Sequence, residues 1–149
     1  MIYFPSGSVT GGKDGLLLEF KPNDGERWLG CFAFGHSSYS FRAIFASPNP
    51  HYAGVVSRGA PYWVNARDSA ACSELKFFPV LDIRVLAEER LLLMSDFSSV
   101  ALVGHDAVSW RSPQLCWDEL QILKIDNGIV TGVGYDPTDS VVHLGQFRI

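Results

Sequence analysis

Short apolar runs, each four to seven residues long and bounded by turn-forming clusters, set the rhythm of this chain. Turn signals stand at Asp14-Gly15, Asn23-Asp24-Gly25, Ser47-Pro48-Asn49-Pro50 and Arg58-Gly59-Ala60-Pro61 in the first half. They recur at Gly104-His105-Asp106, Asp126-Asn127-Gly128 and Asp136-Pro137-Thr138-Asp139 in the second. Between them lie residues that suit a pleated, half-buried surface: Val, Ile, Leu, Phe, Tyr and Trp. The spacing is that of an antiparallel all-β domain. It predicts strands at Leu16–Lys21, Trp28–Phe34, Phe41–Ala46, Gly54–Ser57 and Tyr62–Asn65. Further strands are predicted at Val80–Leu86, Leu91–Ser95, Val100–Val103, Val108–Arg111, Leu120–Ile125, Ile129–Tyr135 and Val141–Phe147. No segment sustains a helical period. Ala66–Leu75 and Leu86–Arg90 have room for a turn or two of helix and no more.

The clearest local prediction is the hairpin Leu120–Tyr135. Asn127 and Gly128 both tolerate positive φ, as a two-residue type I′ turn requires. Beyond the turn, Gly132 and Gly134 share one face of the strand. Two glycines there predict a close neighbour, either a ring or another backbone.

A loose internal echo runs through the chain. Gly35-His36-Ser37-Ser38-Tyr39-Ser40-Phe41-Arg42 matches Gly104-His105-Asp106-Ala107-Val108-Ser109-Trp110-Arg111 at glycine, histidine, serine and arginine, with an aromatic before each arginine. Leu16-Leu17-Leu18 and Leu91-Leu92-Leu93 precede the copies, and Ser47-Pro48 and Ser112-Pro113 follow them. A half-length duplication over 15–66 and 90–147 is therefore expected within one domain spanning 1–149.

The stretch from Leu91 to Trp110, extended to about residue 125, resembles a blade of a quinoprotein-type β-propeller. Leu91–Met94, Val100–Val103 and Val108–Trp110 would be three blade strands, with Leu120–Ile125 as the fourth. The resemblance implies antiparallel blade-like sheets and carries no cofactor-binding residue with it. Propellers use four or more blades of about 40 residues, so the expected architecture here is a β-sandwich or barrel made from two blade-like sheets.

Composition narrows the class of protein. The 149 residues are 47% hydrophobic and 19% charged, enough to bury roughly two-thirds of the unfolded chain's surface without a metal or disulfide. A net charge of −4 and scattered Lys and Arg argue against nucleic acid, which is held by clustered cations. No apolar run approaches the ~20 residues of a membrane span, and the first residues carry no secretory pattern. Cys31, Cys72 and Cys116 are an odd set without a Cys-x-x-Cys pair, as expected for reduced thiols in the cytoplasm.

Candidate chemistry is sparse. Gly35-His36-Ser37-Ser38-Tyr39 lacks the final glycine of a nucleophile elbow. His36, His51, His105 and His143 are too dispersed for a zinc motif, and no metal or cofactor is expected. His36 and His105 would share a ligand site, with Asp106 and the arginines Arg42 and Arg111, if the two echoes were related by a pseudo-twofold axis. An arginine beside an aromatic either packs or captures an anion. Tyr39, Tyr52, Arg58, Tyr62, Trp63, Trp117 and Asp118 form the candidate interaction surface, because turn-borne aromatics offer large, rigid contact area. The expected function is a non-catalytic binding or protein-interaction module, leaning away from an enzyme. A small-ligand binder or hydrolase at His36/His105 and a structural homo-oligomer subunit are the alternatives. The expected partner is a protein or a second copy of the chain.

Overall fold

The chain is an all-β domain, and its described residues form fourteen strands in four sheets, none of which closes into a barrel. A computed structural model describes all residues except 9, 11–13, 37, 106–107, 139–140 and 149, and excludes the side chains of 141–144 and 147. The first sheet contains β1 (Ile2–Phe4), β2 (Gly15–Phe20) and β3 (Trp28–Ala33), in the order β1-β3-β2. β1 lies parallel to β3, and β2 and β3 are antiparallel. The second sheet is the meander β4 (Arg42–Ala46), β5 (Tyr52–Ser57), β6 (Ala60–Asn65) and β7 (Cys72–Glu74). The third is the meander β8 (Asp82–Leu86), β9 (Leu91–Ser95), β10 (Val100–Val103) and β11 (Val108–Arg111). β12 (Asp118–Asp126), β13 (Ile129–Asp136) and β14 (Val141–Arg148) make the fourth.

The sheets pack in sequence order through three separate cores. Phe4 and Phe32 meet Val55, Tyr62 and Val64 between the first and second sheets. Val56 and Trp63 meet Leu92, Met94, Ala101 and Val103 between the second and third, with Phe77 and Val80 from the connection. Leu93 and Val100 meet Ile122 and Val130 between the third and fourth. Consecutive residues such as Val55-Val56 and Leu92-Leu93 thus enter different cores, as a period-2 strand demands when both its faces are covered. This explains why the chain forms four sheets and not the two expected of a sandwich. Its central strands are apolar on both faces, and a two-layer structure would leave one of those faces in water.

Two other expectations, on Leu120–Ile125 and on the helical turns, are corrected. The fourth strand of the sheet holding β9, β10 and β11 is β8, which precedes it, while Leu120–Ile125 lies within β12 of the next sheet. The two echoed octapeptides also occupy unlike places. Gly35–Arg42 crosses from the first sheet to the second, whereas Gly104–Arg111 joins β10 to β11 within the third. Ala66–Leu75 and Leu86–Arg90 contain turns, together with the short strand β7.

The two-residue turns follow their chemistry. Asn127 and Gly128 both have positive φ, 49° and 72°. Gly132 and Gly134 do face close neighbours: a Cβ on Gly132 would stand 2.8 Å from the Gln121 carbonyl oxygen, and one on Gly134 would overlap the Cys116 sulfur.

Candidate functional site

The second hairpin with two left-handed residues is Arg58-Gly59, joining β5 to β6, with φ of 48° and 81°. Glycine adopts this conformation freely, but for arginine it costs on the order of 1 kcal/mol. Backbone bonds hold the turn in place from both sides. Gly59 N–H donates to the Phe41 carbonyl (3.2 Å), and Val80 N–H donates to the Gly59 carbonyl (2.8 Å).

The end of β3 is anchored against the same hairpin. Ser57 Oγ donates to the Phe32 carbonyl and the Tyr62 hydroxyl to the Ala33 carbonyl, each at 2.9 Å in the interior. Gly35 N–H donates to the Ser57 carbonyl at 2.9 Å. Gly35 has to be glycine-sized, since a Cβ would overlap the Arg58 carbonyl and come within 2.8 Å of the Phe78 ring. Phe34 is thereby fixed between two anchored residues.

Two cations converge on that ring. The Arg58 guanidinium carbon lies 4.3 Å from the Phe34 centroid and that of Arg42 lies 5.3 Å away. Arg42 reaches the ring because β4 begins with it, in register opposite Ser57. Neither guanidinium has an ion-pair or hydrogen-bond partner among the described residues. Beside them, Tyr39 packs edge-on against Phe78 at 5.9 Å and, tilted, against His36 at 5.7 Å. His36 Nδ1 accepts the Ser38 N–H at 3.2 Å, so it engages backbone and not a hydroxyl that it would activate as a nucleophile. Phe78 is 49% exposed. Phe34, Gly35 and Phe78, with Pro5, Pro61 and Glu74, line a cleft of about 230 Å³.

No family model, curated protein or solved structure matches this chain.

The other candidates are placed differently. Arg111 is already neutralised: its Nη2 donates to Asp96 Oδ2 at 2.9 Å, and its guanidinium lies 5.0 Å from the Phe77 centroid. His105 lies on the β10–β11 connection of the third sheet, in a different layer from His36, and Asp106 is outside the described residues. Tyr62 and Trp63 are corrected from surface to core, at 2% and 3% exposure. β6 is an interior strand of an interior sheet, so its alternate side chains enter the two cores on either side. Burial, and then the nearby Glu74 carboxylate, push the Tyr62 hydroxyl well above its usual range. Tyr52 packs half-buried against the core between the second and third sheets.

Trp117 is 60% exposed on the connection from β11 to β12, and Asp118 Oδ1 accepts the neighbouring Glu119 N–H at 2.8 Å. Among the described residues, no three His, Cys, Asp or Glu side chains gather to hold a metal. Among them too, no helix is long and apolar enough to cross a membrane.

Sequence reasoning singled out His36, Tyr39, Arg42 and Arg58 but missed Phe34 and Phe78, the rings that unite them. The available signal was an aromatic directly before the glycine at Gly35 and another directly before Pro79.

Proposed function

We propose that this chain is a non-catalytic binding module that recognises acidic groups on a protein partner through Arg42 and Arg58. The observation carrying this reading is the convergence of two guanidiniums on the Phe34 ring without a carboxylate among the described residues to neutralise either. An incoming carboxylate neutralises charge that the protein leaves uncompensated at this ring. Arginine suits the task because its planar fork meets a carboxylate in two parallel hydrogen bonds while its face stays on an aromatic ring. Tyr39 and Phe78 add rigid aromatic contact at the rim. A protein of net charge −4 confines its attraction for anions to such a local patch. Three free thiols fit a reducing compartment such as the cytoplasm.

The test is a titration of the isotopically labelled protein with the blocked peptide Ac-Glu-Glu-Glu-NH2, followed by amide NMR shifts. Gly35, Arg58 and Gly59 resonances are expected to move saturably, and the Arg42→Gln/Arg58→Gln variant to lose the response. An equal response in parent and variant, or none in the parent, refutes the reading.

A further inference from the structure

From the cleft beside Phe34 we infer that the recognised segment carries an apolar side chain directly next to its acidic residue, the apolar group entering the cleft while the carboxylate stays on the arginines. This rests on the acidic-partner reading and narrows it to a kind of peptide.

Three observations lead there. First, Phe34 belongs to both features: its ring carries the two guanidiniums, and it lines the cleft. A ligand that engages both therefore needs its charge and its apolar group a residue or less apart, about 3.8 Å between successive Cα atoms. Second, the cleft's volume of about 230 Å³ lies below the ~300–1,000 Å³ typical of pockets for drug-sized ligands. It admits an aliphatic side chain with room to spare, but not a drug-sized ligand. Third, the cleft selects against negative charge. Phe34, Pro61, Leu75 and Phe78 contribute apolar surface, and the single ionisable acid on the wall is Glu74, set opposite Tyr62 in the β6–β7 register. A second carboxylate entering there would meet Glu74, and the Tyr62 hydroxyl is already donating to the Ala33 carbonyl. The occupant carries no negative charge where it enters and is anionic where it meets the arginines. Phe78, half in water, is the surface that an aliphatic group would cover.

The inference is tested on the full chain with four blocked peptides: Ac-Gly-Asp-Leu-Gly-NH2, Ac-Gly-Leu-Asp-Gly-NH2, Ac-Gly-Asp-Gly-Gly-NH2 and Ac-Gly-Asn-Leu-Gly-NH2. Binding is followed by amide shifts. One of the two Asp/Leu orders is expected to bind about tenfold tighter than Asp-Gly, the gain from burying one aliphatic side chain. The Asn-Leu peptide is expected to be weaker still. Gly35→Ala would fill the cleft but also strikes backbone, so the chosen variant is Phe78→Ser at the half-exposed rim. It is expected to bring the better Asp/Leu peptide down to the Asp-Gly level with the fold intact.

Equal, arginine-dependent binding of the Asp-Leu, Leu-Asp and Asp-Gly peptides overturns the cleft inference and leaves the acidic-partner reading standing. If no peptide of the four binds, the inference falls, and the triglutamate titration separately decides the broader reading. Binding of free 4-methylpentanoate as tightly as the better peptide would also overturn it, moving the ligand from a protein segment to a small acid.

Discussion

Asp96 explains why one echoed arginine is unavailable, and its removal has a calculable cost. The residue is 2% exposed in the β9–β10 turn. Oδ1 accepts the Ser98 and Ser99 N–H groups at 2.8 and 2.6 Å. Oδ2 accepts the Ser99 hydroxyl at 2.7 Å and Arg111 Nη2 at 2.9 Å. Asp96→Ala removes hydrogen bonds to a charged group, about 1.5–3 kcal/mol, and orphans the buried Ser99 N–H for about 1–3 kcal/mol more. The Arg111 side chain is 50% exposed and can regain water, so the total falls near the lower end, about 3 kcal/mol.

Asp96→Asn keeps the Oδ1 bonds to both backbone N–H groups but sets an amide donor against Arg111, for about 1–2 kcal/mol. At roughly 2–4 °C per kcal/mol for a chain of this size, the alanine variant melts on the order of 10 °C lower. Urea unfolding of the parent and both variants, analysed at constant slope, measures the ladder. If Asp96→Ala and Asp96→Asn cost the same, the backbone bonds to Oδ1 contribute nothing. If Asp96→Ala costs under about 0.5 kcal/mol, the turn is not held by this carboxylate at all.

Three further outcomes are expected. Gly54→Ala drives a methyl into the Phe45 ring, which lies directly over that glycine, and should cost about 1–3 kcal/mol; combined with Phe45→Ala it should cost clearly less than the sum, and strict additivity in a double-mutant cycle would exclude the contact. Arg58→Asn relieves a left-handed arginine with a residue that tolerates that conformation, so urea stability should stay within about 0.5 kcal/mol of the parent while the triglutamate response disappears; a large loss of stability would make Arg58 structural instead. Burial, followed by the Glu74 carboxylate, pushes the Cys72 thiol from 9.0 up to about 12. The unfolded chain therefore releases this proton first as pH rises, and the associated stability is complete below about pH 9 and lost towards pH 12. Cys72→Ser should flatten that decline in urea midpoints, and an unchanged slope would count against the half-buried thiol.

How much was legible in advance depends on the range of the interaction. Alternation and turn residues are local, so Leu91–Ser95, Val100–Val103 and Val108–Arg111 coincide with β9, β10 and β11, and Asn127-Gly128 turns as its chemistry requires. The missed strands show the converse. Ile2–Phe4 and Cys72–Glu74 are three residues each, too short to display a period, and exist because β3 and β6 offer them edges to pair with.

Tyr62 and Trp63 carry the same lesson for function. Beside Gly59-Ala60-Pro61 they look exposed, and only the stacking of sheets on both faces of β6 places them in two cores. By itself, then, the sequence determined an all-β chain, its hairpins, and several of the polar residues worth watching. The tertiary structure decided the number of sheets, separated His36 and His105 into different layers, and gave Arg111 to Asp96. It also brought Arg42 and Arg58 onto Phe34, residues that strand order and register place side by side although no local pattern links them.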